Sequence, residues 1–141
     1  MLAPVVPKRP FPGNDVFNAN VARWDTAAAT DMNDTFCQAT AFNQPLDSWD
    51  AAAVTDMNWM FACAKAFDQH LRWWNTAAVT NMDSMFRFAT AFNQNIDAWS
   101  TGAVTGMDVP PWVSQMGDST PEVASPWAAL PNGMGRSSPG P

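Results

Sequence analysis

Phe42-Asn43-Gln44-Pro45-Leu46-Asp47-Ser48-Trp49-Asp50-Ala51-Ala52-Ala53-Val54-Thr55-Asp56-Met57-Asn58-Trp59-Met60-Phe61-Ala62-Cys63-Ala64-Lys65-Ala66 is the stretch that decides the fold. Its recurring apolar positions are Phe42, Leu46, Trp49, Val54, Met57, Phe61 and Ala64. Spacings of three to five do not suit a long strand, which needs period two. Pro45 and the turn formers around it exclude one long helix. The segment therefore reads as a coil of several short pieces.

Outward from this stretch the same pattern returns every 25 residues. Phe17, Phe42, Phe67 and Phe92 form one register position, and Trp24, Trp49, Trp74 and Trp99 another. Thr30, Thr55, Thr80 and Thr105 repeat likewise, as do Met32, Met57, Met82 and Met107. Phe36, Phe61 and Phe86 keep the period, with Ala39, Ala64 and Ala89 and the aliphatic set Val21, Leu46, Leu71 and Ile96. No insertion or deletion interrupts these four units. A strict period of this length is the mark of a stacked repeat.

The spacing predicts an α/β solenoid. Each coil would hold a short parallel strand (Ala29–Met32, Val54–Met57, Val79–Met82) and a short helix, such as Asn58–Ala64 with Met57, Phe61 and Ala64 on one face. The stretch from Phe67 to Trp74 would return the chain along an extended, turn-rich path. A lone coil cannot bury its apolar positions, so neighbours must share them, as in other solenoids. The expected organisation is a Pro-rich N-terminal flank or partial cap over 1–16, a solenoid of three full coils and one partial over 17–108, and a Pro/Ser/Gly-rich flexible tail over 109–141. The tail keeps only Trp112 and Trp127 as large anchors.

Composition narrows the function. Thirteen acidic against seven basic residues leave a net charge of −6. That argues against nucleic acid, whose phosphates call for clustered Lys and Arg. It also argues against electrostatic docking on anionic lipid. No apolar run reaches the ~20 residues of a membrane span. Residues 1–12 hold four prolines and no continuous apolar stretch, unlike a secretory signal.

The repeat pattern F-N-Q-x-L-x-x-W-D-T-x-x-V-T-x-M-x-x-M-F-x-x-A resembles the 25-residue repeat of BspA-type leucine-rich-repeat surface proteins. Similar repeats occur in mycoplasma-type surface lipoproteins and in algal and protist proteins. The resemblance runs from Phe17 to Asp108; Phe42-Asn43-Gln44-Pro45-Leu46 and Trp74-Asn75-Thr76-Ala77-Ala78-Val79-Thr80-Asn81-Met82 carry it most fully. It implies a leucine-rich-repeat-like solenoid, display at the cell surface, and adhesion or protein interaction. It brings no catalytic residues.

The polar positions admit two readings each. Asp31, Asp56, Asn81 and Gly106 share one register; Asp25, Asp50, Asn75 and Ser100 another; Asn18, Asn43, Asp68 and Asn93 a third. Oxygen-rich sets of this kind suit calcium. They equally suit Asx side chains that satisfy turn amides or cap short helices. The second reading is favoured, because the glycine-rich nonapeptide of calcium-binding β-rolls is absent and the repeats contain no Glu. No cofactor is expected. His70, the single histidine, alternates with Pro45 and Asn95 and has no nucleophile at a matching position, so it reads as a surface residue rather than a general base. Cys37 and Cys63 do not share a register, so they read as two small half-buried residues or as a bridge between adjacent coils.

Three aromatics break the repeat. Trp59 replaces Asp34 or Ser84, Trp73 replaces Ser48 or Ala98, and Phe88 replaces Gln38 or Cys63. Each is either a packing variation or part of a binding patch. The candidate patch is Trp59, Trp73, Arg72, His70 and Phe88, with Trp73 beside Arg72 and His70 as its best hot spot. The expected function is a non-catalytic module binding a protein or a glycan, since exposed Trp stacks on sugar faces. The alternative is a structural piece of a longer array with no binding role of its own.

Overall fold

The computed structural model describes residues 15–106. The tail expected over 109–141 and nearly all of the N-terminal flank lie outside the described residues. Within them, the chain winds as a repeat solenoid in which equivalent residues of successive coils lie on top of one another.

Turns, rather than helices and strands, build each coil. The motif residues spaced three apart close them: Trp49 donates to the Leu46 carbonyl at 3.0 Å, Val54 to Ala51 at 3.0 Å, Met60 to Met57 at 3.2 Å, Ala64 to Phe61 at 3.0 Å and Phe67 to Ala64 at 3.1 Å. The first and last residues of such a turn lie on one side of the chain, and here both point inward.

The short helix expected over Asn58–Ala64 is a correction, because no helix forms among the described residues. A helix would send every amide to the residue four before it. Here alternate amides leave the coil altogether. Met57, Trp59, Phe61 and Cys63 donate to the carbonyls of Asn81, Asp83, Met85 and Arg87 at 2.9, 3.0, 2.8 and 2.7 Å. Met32, Asp34, Phe36 and Gln38 do the same to Asp56, Asn58, Met60 and Ala62. The amides between them close turns instead. Two positions per coil take a left-handed backbone to make this possible: Asp34, Trp59 and Ser84 at φ 52–58°, and Gln38, Cys63 and Phe88 at φ 59–63°.

The expected strands shrink to single parallel bridges, Asp31 to Asp56, Asp56 to Asn81 and Asn81 to Gly106. Next to them Thr55, Thr80 and Thr105 donate back to the preceding coil's Thr30, Thr55 and Thr80 carbonyls at 2.8–2.9 Å. Bonds on this segment therefore run opposite to those of the turn ribbon.

The core is a set of aromatic ladders. Phe17, Phe42, Phe67 and Phe92 stack at 5.7–5.9 Å between ring centroids. Phe36, Phe61 and Phe86 stack at 5.5 Å, and Trp24, Trp49, Trp74 and Trp99 at 6.1–6.5 Å. Within each coil the ribbon phenylalanine lies 3.9–4.1 Å from that of the return segment, as in Phe61 on Phe67. The two ladders thus join the opposing walls. Met32, Leu46, Met57, Leu71 and Val79 fill the remaining space, fully buried.

Candidate functional site

The polar register positions are occupied with holding the coils together. The side-chain oxygen of Asn18 accepts the backbone amide of Asn43 and the amide group of Gln44, both at 3.0 Å. Asn43 accepts from Asp68 and Gln69, at 3.0 and 2.8 Å, and Asp68 from Asn93 and Gln94, at 2.9 and 2.8 Å. The Phe-Asn-Gln run is a clamp: the ring enters the core while the two polar side chains tie one coil to the next.

The other Asx positions serve turns within their own coil. Asp25, Asp50 and Asn75 accept the amide two residues on, at 2.9–3.1 Å, and Asp31, Asp56 and Asn81 do likewise at 2.8–3.0 Å. This is the Asx-turn reading; the helix-capping variant falls with the helix. Each core Trp also has its indole N–H bonded to a carbonyl of the preceding coil, Trp49 to Val21, Trp74 to Leu46 and Trp99 to Leu71. Among the described residues no group of three or more His, Cys, Asp or Glu is placed to hold a metal ion. Cys37 and Cys63 are half-buried and not bridged, the first of the two readings. Their positions in different registers place them on unlike parts of the turn ribbon.

Among the described residues the exposed large apolar side chains are Val16, Trp73 and Phe88, with Trp73 at 70% and Phe88 at 47% of full exposure. Trp59 is half-buried. The five candidate patch residues form two groups. On the turn ribbon, the Arg87 guanidinium carbon lies 5.5 Å from the Trp59 ring centroid and 5.2 Å from that of Phe88. On the return segment, Arg72 lies over the Trp73 ring at 4.7 Å, with His70 exposed three residues before Trp73. Among the described residues no ring contact joins the two groups, and the core ladders separate their walls.

Arg87 is the residue that sequence reasoning missed. It follows Phe86 where other coils carry Cys37 and Ala62, so it breaks the repeat as Trp59 and Phe88 do. A search for apolar breaks alone passes over it. Trp59 and Phe88 also occupy the two left-handed positions of their coils. An aromatic side chain there carries a backbone cost of about 1–2 kcal/mol, and neither ring is needed to fill the core.

Stacked coils with buried aromatic ladders, a shell of coil-joining Asx bonds and aromatics on the outer walls define a tandem-repeat solenoid. The chain belongs to the family described as Mycoplasma protein of unknown function, DUF285, whose model matches residues 8–111. No curated protein and no solved structure matches the chain. No helix among the described residues is long and apolar enough to cross a membrane.

Proposed function

We propose that this chain is a non-catalytic interaction module of the surface-protein type, with a leucine-rich-repeat-like architecture related to BspA-type proteins, and that it binds a protein or a glycan through its outward aromatics. One observation carries the reading: Trp73 stands 70% exposed at a register position where the flanking coils place Ser48 and Ala98. Nothing in the packing of the coil asks for an indole there. A lone exposed ring is ordinary on a protein surface; what singles out Trp73 is an indole at a position whose register neighbours are small, which is the residue type that anchors binding sites.

The non-catalytic half of the proposal draws on the polar shell. A general acid or base needs a carboxylate or imidazole free to meet a substrate. The Oδ1 oxygens of the repeated Asx side chains are instead engaged by backbone amides and, at Asn18 and Asn43, also by the glutamine of the next coil. The resemblance of the repeat to that of BspA-type surface proteins is the further support for surface display, and fold likeness alone is weak grounds for function.

The test is binding to a verified partner, protein or glycan, by the wild-type chain and by Trp73→Ala, Trp59→Ala and Phe88→Ala. At least one substitution should weaken binding tenfold or more while the melting temperature stays unchanged. Unchanged affinity in all three would remove the outward aromatics from the function.

A further inference from the structure

We infer that the return-segment wall around Trp73 is a subsite for a neutral saccharide ring, an inference that rests on the interaction-module reading above and narrows its ligand. Arg72 packs over the Trp73 ring at 4.7 Å, which restrains the indole and occupies part of one face. The high exposure of Trp73 leaves the rest of the ring to solvent. An indole face is the electron-rich part of its quadrupole. It attracts the weakly positive C–H groups on the flat side of a pyranose.

The surroundings supply what the hydroxyl groups of such a ring need. In register, Arg72 lies between Asp47 of the preceding coil and Asp97 of the following one, while His70 lies beside Asn95. All five are exposed. Carboxylates accept hydrogen bonds from hydroxyls, and the guanidinium, imidazole and amide groups donate to them. The 25-residue period brings these chemically different groups to one wall from three coils. The Trp ladder beneath repeats at 6.3–6.5 Å between ring centroids, so neighbouring coils present their groups side by side along this wall.

The same features disfavour other occupants. A protein hot spot is an aromatic anchor within a dry, largely apolar surround. Trp73 has Ser48 and Ala98 as register neighbours, and a polar surround. Asp47 and Asp97, in register with Arg72, outnumber its one positive charge, and together with the net charge of −6 they disfavour sulfated or phosphorylated polymers. The ligand chemistry that fits one exposed indole in a mixed donor–acceptor surround is an uncharged sugar.

The experiment titrates the full chain with neutral oligosaccharides of glucose, mannose and N-acetylglucosamine, followed by saturation-transfer NMR from protein to sugar. A sulfated oligosaccharide and zwitterionic lipid vesicles serve as the comparison ligands. We expect at least one neutral oligosaccharide to bind and the sulfated one to bind less. Trp73→Ala should lower the affinity at least tenfold, Trp73→Phe should keep part of it, and Lys65→Ala, an exposed position away from this wall, should leave it unchanged. Because Trp73 is exposed, its replacement leaves the fold intact, and an unchanged melting curve verifies this. Neutral-sugar binding that survives Trp73→Ala, or no sugar binding at millimolar concentration, overturns the subsite. So does preferential binding of vesicles or of the sulfated glycan. If a protein partner is lost in Trp73→Ala and no sugar competes with it, the saccharide inference fails while the interaction module stands. If no ligand of any class responds to Trp73→Ala, Trp59→Ala or Phe88→Ala, both fail together.

Discussion

At the scale of single residues, the asparagine that follows each ladder phenylalanine shows how a repeat uses a polar side chain. Asn43 accepts two hydrogen bonds from the next coil, one from a backbone amide and one from Gln69. Replacing it with Ala removes the acceptor of both the Asp68 amide and the Gln69 side chain. Asn43→Ala should cost about 1–2 kcal/mol, read from denaturant midpoints. Asn43→Asp should cost much less, because Asp68 already performs the same task one coil later. Equal losses in the two variants would show that the clamp is not made by the side-chain oxygen. Gln38 offers the opposite test. It is exposed and its φ is 63°, a conformation that glycine takes without strain. Gln38→Gly should therefore raise stability by roughly 1 kcal/mol, although glycine elsewhere weakens regular structure. A lower melting temperature would mean that the left-handed turn is not strained.

At the scale of elements, the turn ribbon is where sequence and structure part. Phe61, Ala64 and Phe67 are spaced three apart, and that spacing fits a helical face as well as a chain of consecutive turns. What separates the two is the destination of alternate amides, and those of Trp59, Phe61 and Cys63 go to the next coil. The acceptor lies 24 residues ahead, so no local window contains it. The ladder positions, by contrast, were legible from period alone, since residues stacked by a repeat must all be compatible with one interior slot. Phe61 tests how much the ladder carries. It stacks on Phe36 and Phe86 in neighbouring coils and on Phe67 in its own. Phe61→Ala should cost about 3–5 kcal/mol. A loss below 1 kcal/mol, measured by equilibrium unfolding, would mean that the rings repack around the gap.

At the scale of the whole molecule, identical coils make the solenoid nearly one-dimensional, with stability built from coils and the contacts between neighbours. Deleting residues 42–66 joins Ala41 to Phe67 as Ala66 is joined to it now, and keeps every register position. The shortened chain should fold with a lower melting temperature, with tryptophan fluorescence and circular dichroism changing together. Inserting a single residue after Ser48 should be far more damaging, because it moves the register of every later position in that coil against its neighbours. A shortened chain that fails to fold, or an insertion that is tolerated, would argue against register as the organising constraint.

By itself the sequence determined that this protein is a stack of 25-residue coils, which residues lie in its core, and which aromatics depart from the repeat. Those properties follow from one-dimensional periodicity and from side-chain chemistry, both visible in the chain. The tertiary structure decided three further matters. It made the coils from turns and isolated bridges instead of helices and strands, because half of the ribbon amides find their acceptors only in the neighbouring coil. It joined the oxygens of Asn18, Asn43 and Asp68 to backbone amides of the next coil, since those amides come within reach only when the coils stack. It also divided the outward aromatics between two walls, with Arg87 joining Trp59 to Phe88 and Arg72 lying on Trp73. Distance along the chain does not record which side of a coil a side chain leaves from; the path of the backbone around the core does.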